Sequence, residues 1–551
     1  MSRKVLITSA LPYANGNVHI GHMAGAYLPA DIYHRYLRMK GVESVYICGS
    51  DEHGVPITMT AEREKVTPKD VIDRYHTANE AAFKKAGMSF DIYHRTSVPR
   101  HHKLSQEFFL KLMKAGHIHK AITRQLYCTK CNRFLPDRYV EGICPNCKAE
   151  GARGDQCDAC GKALDPLELV NPKCKVCNST PEIRETEHYF LKLQDFSDRL
   201  KEWLKSREGW RDSVKNFALG WIEEGLRERA ITRDLYWGVP VPLKEAKGKV
   251  LYVWFDAPIG YLSFTQEWAE RLGKPDLWRE YWQNESTPIV HFIGKDNTPF
   301  HAITWPAMLM GVGEYSLPSV VVANEYLNFG SSKFSKSRGN IVRLDRFAEI
   351  FGADRLRFYL TSVAPETQDS DFTFEDFAER VNAELVNVVG NFIYRTVSFA
   401  VKYFDKKTPK ATVPGEIMTA IGTAAREVDE LIESFHFRQA IARIVDFARY
   451  GNRFFDEAAP WKTRKDNLSR TAADIASCIE MSRALATLLA PVTPEGSEKV
   501  LTMLSAGTPR ENFAELGKKP LGARPIGELS IPYAKLDDAE LPSLVQKVMG
   551  A

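Results

Sequence analysis

Residues 5–22 read VLITSALPYANGNVHIGH, and this stretch decides the fold. The apolar run from Val5 to Ala10 has the length and composition of a buried strand. Leu11 to Asn17 follows, with Pro12, Asn15 and Gly16 as turn formers. From His19 to about Lys40 the chain reads as a helix, and Gly41 is a fitting stop. Val45-Tyr46-Ile47-Cys48 is the next apolar run, and Gly49-Ser50-Asp51 comes directly after it. Strand, glycine-containing loop, helix, strand is the βαβ unit of nucleotide-binding sheets. Further on, Thr67-Pro68 starts another helix, with threonine as cap and proline in the first turn.

Moving outward, apolar runs typical of strands recur at 250–255, 289–293 and 320–322. Between them, residues 121–185 change character, with little apolar content and many Gly, Pro, Asn and paired Cys. The α/β sheet is therefore expected to be split by an insertion. Beyond about residue 375, helical spacing of Leu431, Phe435, Ala440, Ile444 and Phe447 predicts a C-terminal helical bundle.

The chain has 551 residues, 44% hydrophobic and 26% charged, which excludes a disordered chain, a collagen-like fibre and a disulfide-stapled mini-protein. It holds no apolar stretch of the roughly 18 residues that a membrane span needs. With 74 basic and 70 acidic residues, the net charge of +4 neither demands nor excludes a nucleic-acid partner. Arg3 and Lys4 precede an apolar run that stops at Pro12, too short for a secretory leader, so a cytoplasmic protein is expected.

Eight of the ten cysteines form four C-x-x-C pairs: Cys128/Cys131, Cys144/Cys147, Cys157/Cys160 and Cys174/Cys177. In a reducing compartment such pairs are metal ligands before they are disulfides. Four thiolates per tetrahedral Zn²⁺ give two closed, structural sites with no position for a catalytic water. Spacing alone does not fix which pairs share an ion.

Two motifs carry chemistry. His19-Ile20-Gly21-His22 opens a helix, where Gly21 permits close approach and the N–H groups face phosphate. Its bland reading is chance, or a pair of surface histidines. No Walker-A or G-x-G-x-x-G pattern competes with it. Lys333-Phe334-Ser335-Lys336-Ser337, behind Gly330-Ser331-Ser332, suits a loop that clamps polyphosphate; its bland reading is a solvated basic loop. In this order the two resemble the H-I-G-H and K-M-S-K-S motifs of class I aminoacyl-tRNA synthetases, with Phe334 replacing methionine and both lysines in place. Residues 10–16, ALPYANG, 252–261, YVWFDAPIGY, 292–296, FIGKD, and 335–339, SKSRG, resemble the methionyl-tRNA synthetase family, a likeness running from Val5 past Trp461.

That resemblance implies an α/β Rossmann-type nucleotide-binding domain, split by a zinc-binding insertion and followed by an α-helical anticodon-binding bundle. It implies catalytic-domain halves at residues 1–115 and 231–325, the connective insertion with zinc knuckles at 116–230, the mobile loop and stem-contact region at 326–385, and the anticodon domain at 386–551. The activity implied is formation of methionyl-adenylate from methionine and ATP, with Mg²⁺ travelling on the ATP, then transfer to the 3′ end of tRNA(Met). His19, Gly21, His22 and Lys336 would meet ATP, with Lys333 supporting. Ala10, Leu11, Asp51, Trp254, Pro258, Tyr261, Ile293 and His301 match the methionine pocket, Asp51 holding the ammonium. For Asp51 the competing reading is a turn cap, for Trp254 and Tyr261 plain core packing, and for His301 a satisfied core histidine.

The inner cysteines 144, 147, 157 and 160 resemble the knuckle of family members with one zinc, leaving the outer four for a second ion. Asn391 and Arg395, four apart on a predicted helix, and Pro460 and Trp461 match the readers of the CAU anticodon, against the reading of Trp461 as core. Nothing resembles a large hydrolytic editing domain, and no appended C-terminal tRNA-binding domain is seen, so a monomer is expected. The runners-up are a synthetase for another amino acid, a small-molecule nucleotidyltransferase and a non-catalytic tRNA-binding paralogue.

Overall fold

The computed structural model describes residues 3–154, 157, 159–160, 164–330, 332–333 and 341–550. Its centre is a five-stranded sheet in the order Val320–Asn324, Ile289–Gly294, Lys4–Ser9, Glu43–Ser50, Ile92–Arg95, every neighbouring pair parallel. Such strands are buried on both faces, which is why they read as unbroken apolar runs. Along the first strand, Val5 and Ile7 face one apolar cluster and Leu6 faces the other. The first cluster takes in the helix Leu28–Met39 and continues into the C-terminal helices; the second packs helices Pro99–Lys114 and Ile259–Arg271. From Lys4–Ser9 the chain winds outward one way to Ile92–Arg95, then resumes on the other side at Ile289–Gly294. The crevice at this reversal, beyond the carboxyl ends of the strands, is where open α/β sheets bind ligands.

Two long antiparallel arms, Ile118–Cys128 and Glu182–Leu191, carry the insertion out of the sheet domain. The expected helix starts behave as their residues dictate. Thr67 accepts from the backbone of Asp70 and Asp70 reaches back, a capping box before Pro68–Lys85. The helix beginning at Ile20 runs to Met39 through a wider π turn at Met23–Tyr27.

One element differs from expectation. The run at 250–255 makes a strand only at Val250–Leu251; Val253–Asp256 is a short helix, with Phe255 N–H and Asp256 N–H turned back onto the Tyr252 carbonyl at 2.8 and 3.2 Å. A uniformly apolar run does not distinguish strand from buried helix. Among the described residues, no helix is long and apolar enough to cross a membrane.

The sheet domain and the bundle are joined through Arg357, whose side chain is fully buried. It bonds Asp31 at 2.7 Å, the carbonyls of Pro491 and Val492 at 2.8 Å each, and that of Gly87 at 3.2 Å. Burial by itself would raise the Asp31 carboxyl; Arg357 and Arg35, with Ser89, outweigh it and hold the group far below the carboxylate range. Its stabilising contribution is therefore complete above the unfolded-state value of about 3.9 and is lost as pH falls below that towards the folded value. Arg357→Met is expected to cost about 3–5 kcal/mol, because it removes one of the two cations on Asp31 and takes the donor from the Pro491, Val492 and Gly87 carbonyls. Denaturant melts of both proteins at pH 7 and pH 3 check this; the stability gap should narrow in acid.

Candidate functional site

At the carboxyl ends of the strands, the loop after Ser9 is zipped to the loop after Ser50. Ala14 N–H bonds the Asp51 carbonyl at 2.8 Å, and Asp51 N–H bonds that of Pro12 at 2.9 Å. Asp51 is thereby buried, at 2% exposure, and its Oδ1 accepts only a long bond from the His53 N–H at 3.4 Å. Burial pushes this carboxyl well above its ordinary range, and the nearby Asp256 charge adds to the effect. No lysine or arginine ion pair reaches it among the described residues. A desolvated carboxylate without a cation is costly unless a positive ligand completes it.

The sheet and the 253–304 segments bring apolar and aromatic side chains together at this end of the fold. Trp254 is half-buried and stacks on Phe300, ring centroids 4.0 Å apart and 6° from parallel, with Tyr13 edge-on at 6.3 Å. Ala10, Ile293 and Tyr261 are buried in one cluster with Leu11 packed against them. A Cβ on Gly260 would lie 2.9 Å from Leu11 Cδ1, so a larger residue there would have to push the end of the Leu11 side chain aside. Pro258 is buried directly before helix Ile259–Arg271.

His301 lies on the π turn Phe300–Thr304, and burial pulls its pKa down to about 4, leaving it neutral. Its Nδ1 faces the Asn297 carbonyl at 3.0 Å and must donate there. The bare Nε2 then accepts from the Tyr261 hydroxyl at 2.8 Å. The tyrosine proton is committed to His301, so this wall offers ring faces and oxygen lone pairs. Those suit a polarisable thioether.

Beside this pocket, His19 caps the helix at Ile20. Its Nδ1 lies 3.4 Å from His22 N–H, His22 Nδ1 lies 3.2 Å from His19 N–H, and the rings stack at 3.6 Å. Gly21, between them, is half-buried. Val342 and Leu344 bond on either side of His19, through Ile20 N–H at 3.1 Å and the Val18 carbonyl at 3.2 Å. Lys333 ends the short strand Ser332–Lys333, paired to Asn328 and Phe329, while Lys336 lies outside the described residues. The chain thus approaches the Lys336 segment from a strand and leaves it against His19.

Residue reading along the sequence missed several neighbours: Phe300, Tyr13, Asn297, and Arg233, whose guanidinium sits 4.0 Å over the Tyr252 ring. Arg233 and Arg138 line a cavity of about 60 Å³ with Tyr13, Gly54, Tyr252 and Trp254. Phe300, Asn297 and Arg233 lie outside the motifs quoted above, and their convergence in space marks them.

The cysteines gather as two nested sets, Cys128/Cys131/Cys174/Cys177 and Cys144/Cys147/Cys157/Cys160, and none forms a disulfide. Sulfur separations are 3.4 Å for Cys128–Cys177, 3.9 Å for Cys131–Cys174, 3.9 Å for Cys144–Cys160 and 3.6 Å for Cys147–Cys157. Tetrahedral Zn²⁺ with bonds of about 2.3 Å sets sulfurs about 3.8 Å apart, so both sets fit the ion. Backbone N–H groups of Cys147 and Asn146 bring the Cys144 thiol down to about 6, and the Ser179 hydroxyl and N–H do the same for Cys177.

In the bundle, Asn391 and Arg395 lie on helix Asn391–Tyr403 and Trp461 on Pro460–Asp466. Phe455 links them: Arg395 stands 4.6 Å over its ring, and the Trp461 ring is 6.1 Å away. Asn391 is exposed, Pro460 is buried, and Trp461 is 43% exposed, which is incompatible with its being core.

Residues 5–397 match the family described as tRNA synthetases class I (M), and residues 409–550 match the anticodon binding domain of methionyl tRNA ligase. The chain is 46% identical to the methionine–tRNA ligase of Pyrococcus furiosus, over 99% of this chain and 77% of that protein. It is 45% identical to that of Pelodictyon phaeoclathratiforme, over 99% and 81%. Among solved structures, it resembles Mycobacterium tuberculosis methionyl-tRNA synthetase in complex with methionyl-adenylate, with a TM-score of 0.80 and 26% identity, over 96% of this chain and 99% of that one.

Proposed function

Because the chain belongs to the methionyl family of class I aminoacyl-tRNA synthetases, we propose the following division of labour for a methionine–tRNA ligase that activates methionine with ATP and transfers it to tRNA(Met). The observation that carries it is Asp51, a buried carboxyl with no lysine or arginine ion pair among the described residues; Trp254, Pro258, Tyr261, Ile293, Ala10, Leu11 and His301 are assigned as the walls around the substrate side chain. The substrate ammonium completes Asp51, and the side chain lies against the aromatic and apolar walls. A methionine carboxylate oxygen then attacks the α-phosphorus. The bond from that phosphorus to the bridging oxygen breaks, and the electron pair leaves with pyrophosphate. Chemistry of this kind needs positioning and charge stabilisation rather than a protein nucleophile. His19 and His22 donate to phosphate oxygens, Gly21 leaves room for the nucleotide, and Lys336, with Lys333, balances charge on departing pyrophosphate. Mg²⁺ arrives on the ATP.

Residues 1–115 and 231–325 are assigned to the catalytic domain, 116–230 to the connective insertion, 326–385 to the loop and stem-contact region and 386–551 to the anticodon domain. Asn391, Arg395, Pro460 and Trp461 are assigned to reading the CAU anticodon, and the chain acts as a monomer in the cytoplasm. The test is amino-acid-dependent ATP–pyrophosphate exchange across the twenty amino acids, then charging of tRNAs with CAU and altered anticodons. Exchange with an amino acid other than methionine, or charging indifferent to the anticodon, overturns the respective assignment.

Each Cys₄ set is assigned one Zn²⁺, a closed structural site that holds the insertion in shape. Metal analysis of the purified protein is expected to find about two Zn²⁺ per chain, and about one in Cys144→Ala. That variant should expose the insertion to limited proteolysis. Full zinc content with Cys144 replaced would break the assignment.

A further inference from the structure

A second cavity, of about 370 Å³, lies in the insertion and belongs to none of the roles assigned above. It is lined by Leu193, Trp221, Glu224, Leu226, Arg227 and Arg229. Helix Asp212–Glu223 carries Phe217 and Trp221 four positions apart and so on one face, with ring centroids 6.4 Å apart. Phe217 is 49% exposed and Trp221 is half-buried. Gly225, at φ +92°, turns the chain beyond the end of this helix. The returning segment sets the Arg229 guanidinium 5.1 Å from the Trp221 ring.

This cavity and the smaller one beside Trp254 meet through one short stretch of chain. Arg229 lines the larger and Arg233 the smaller, and four residues of chain span at most about 14 Å. Strand pairing fixes the stretch, with Arg229–Ala230 on Phe190 and Leu191 and Thr232–Arg233 on Val250 and Leu251. Tyr252 N–H bonds the Ile231 carbonyl at 2.9 Å, and the Tyr252 ring meets Arg233 at 4.0 Å. Arg229 stands close enough to Tyr252 and Arg233 to feel the charge of both. Arginine-on-aromatic pairs thus occur twice along a track that ends at Tyr13 and Trp254. The charged residues lining the two cavities are Arg138, Arg227, Arg229 and Arg233 against Glu224 and Glu228, and Glu228 faces His119 at 3.3 Å.

We infer that this track holds the single-stranded 3′ end of tRNA, with bases against Trp221 and Phe217, phosphates near Arg227 and Arg229, and the terminal ribose passing the Tyr252–Arg233 pair. Unstacked bases bind on aromatic rings and guanidinium planes, and the anionic backbone follows positive side chains. Of the proposed substrates, methionine and ATP are small. Only tRNA arrives as an extended anionic strand whose end must come up to Trp254. The inference rests on the proposed transfer to tRNA(Met) and adds the entry route of the strand, over the face of the insertion that bears Trp221.

The test compares the full chain as wild type, Trp221→Ala, Trp221→Phe and Arg227→Gln/Arg229→Gln. The probes are tRNA(Met) with its 3′ single strand intact and the same tRNA trimmed of it. Trp221→Ala is expected to weaken binding of intact tRNA about fivefold or more and to leave binding of trimmed tRNA at the wild-type level. Single-turnover transfer from preformed methionyl-adenylate should fall at least about fivefold more than ATP–pyrophosphate exchange, and Trp221→Phe should regain most of the loss. In the double arginine variant, the slope of log affinity against log salt should shrink by about 1.4 for intact tRNA alone. Equal losses for intact and trimmed tRNA overturn the inference, as does unchanged binding. Equal losses of exchange and transfer overturn it too, because they place a small substrate in the cavity. If Trp221→Ala does not fold, the arginine variant decides, and an unchanged salt slope is fatal. A wild type that charges no tRNA(Met) means that the underlying reading has failed; normal charging with every variant indifferent to the 3′ strand defeats only the present inference.

Discussion

Lys336→Ala is expected to lower methionine-dependent ATP–pyrophosphate exchange by roughly 10²–10³-fold, the scale of losing one preorganised contact to charge that develops in the transition state. Pyrophosphate gains negative charge as its bond to the α-phosphorus breaks, and a lysine is useful in proportion to that charge. The proposed loop is anchored on both sides of Lys336, by the strand pairing of Ser332–Lys333 before it and by the bonds of Val342 and Leu344 around His19 after it. In the proposed assignment methionine is held elsewhere, by Asp51 and the residues around Trp254, so its binding, measured by calorimetry, should be unaltered. Charging of tRNA from preformed methionyl-adenylate should fall far less than exchange. If weaker methionine binding accounts for most of the loss, Lys336 has been given the wrong role.

Trp461→Ala should separate the two halves of the reaction. Stacking of a base on an aromatic ring contributes about 1–3 kcal/mol, equivalent to about 5–150-fold in affinity. Arg395 is already fixed next to the Trp461–Phe455 pair, by Asp456 at 2.5 Å and by the Phe455 ring. A base stacked on Trp461 would present its edge near that guanidinium, so losing the stack should disturb the edge contact too. Charging of tRNA(Met) is therefore expected to drop at least tenfold, with exchange unchanged. The melting temperature should hardly move, because a ring that is 43% exposed contributes little to the core. A fully buried tryptophan would instead cost about 3–5 kcal/mol and lower both activities together. Wild-type charging by a stable variant would remove Trp461 from the anticodon site.

What the amino-acid order determines by itself is local or compositional. The unbroken apolar runs at 5–10, 45–48 and 289–293, with turn residues and capped helices between them, are enough for a parallel α/β sheet. Each run must be buried on both faces, and that requirement is written in consecutive residues. C-x-x-C spacing is likewise enough for thiolate metal sites, because each pair converges within one turn. Tertiary structure decides what depends on partners far along the chain. It nests Cys128/Cys131 with Cys174/Cys177 around the inner four, where spacing allowed other pairings. It ends the strand at Leu251 and turns Val253–Asp256 into a helix, although the apolar run is continuous. It places Trp461 at the surface, sets the His301 tautomer through Asn297 and Tyr261, and buries Asp51 with no lysine or arginine ion pair among the described residues. The reason is physical. Periodicity records only whether a residue faces water or core, whereas a proton's position, a carboxylate's charge and a metal's ligand set depend on which distant groups are packed within a few ångströms.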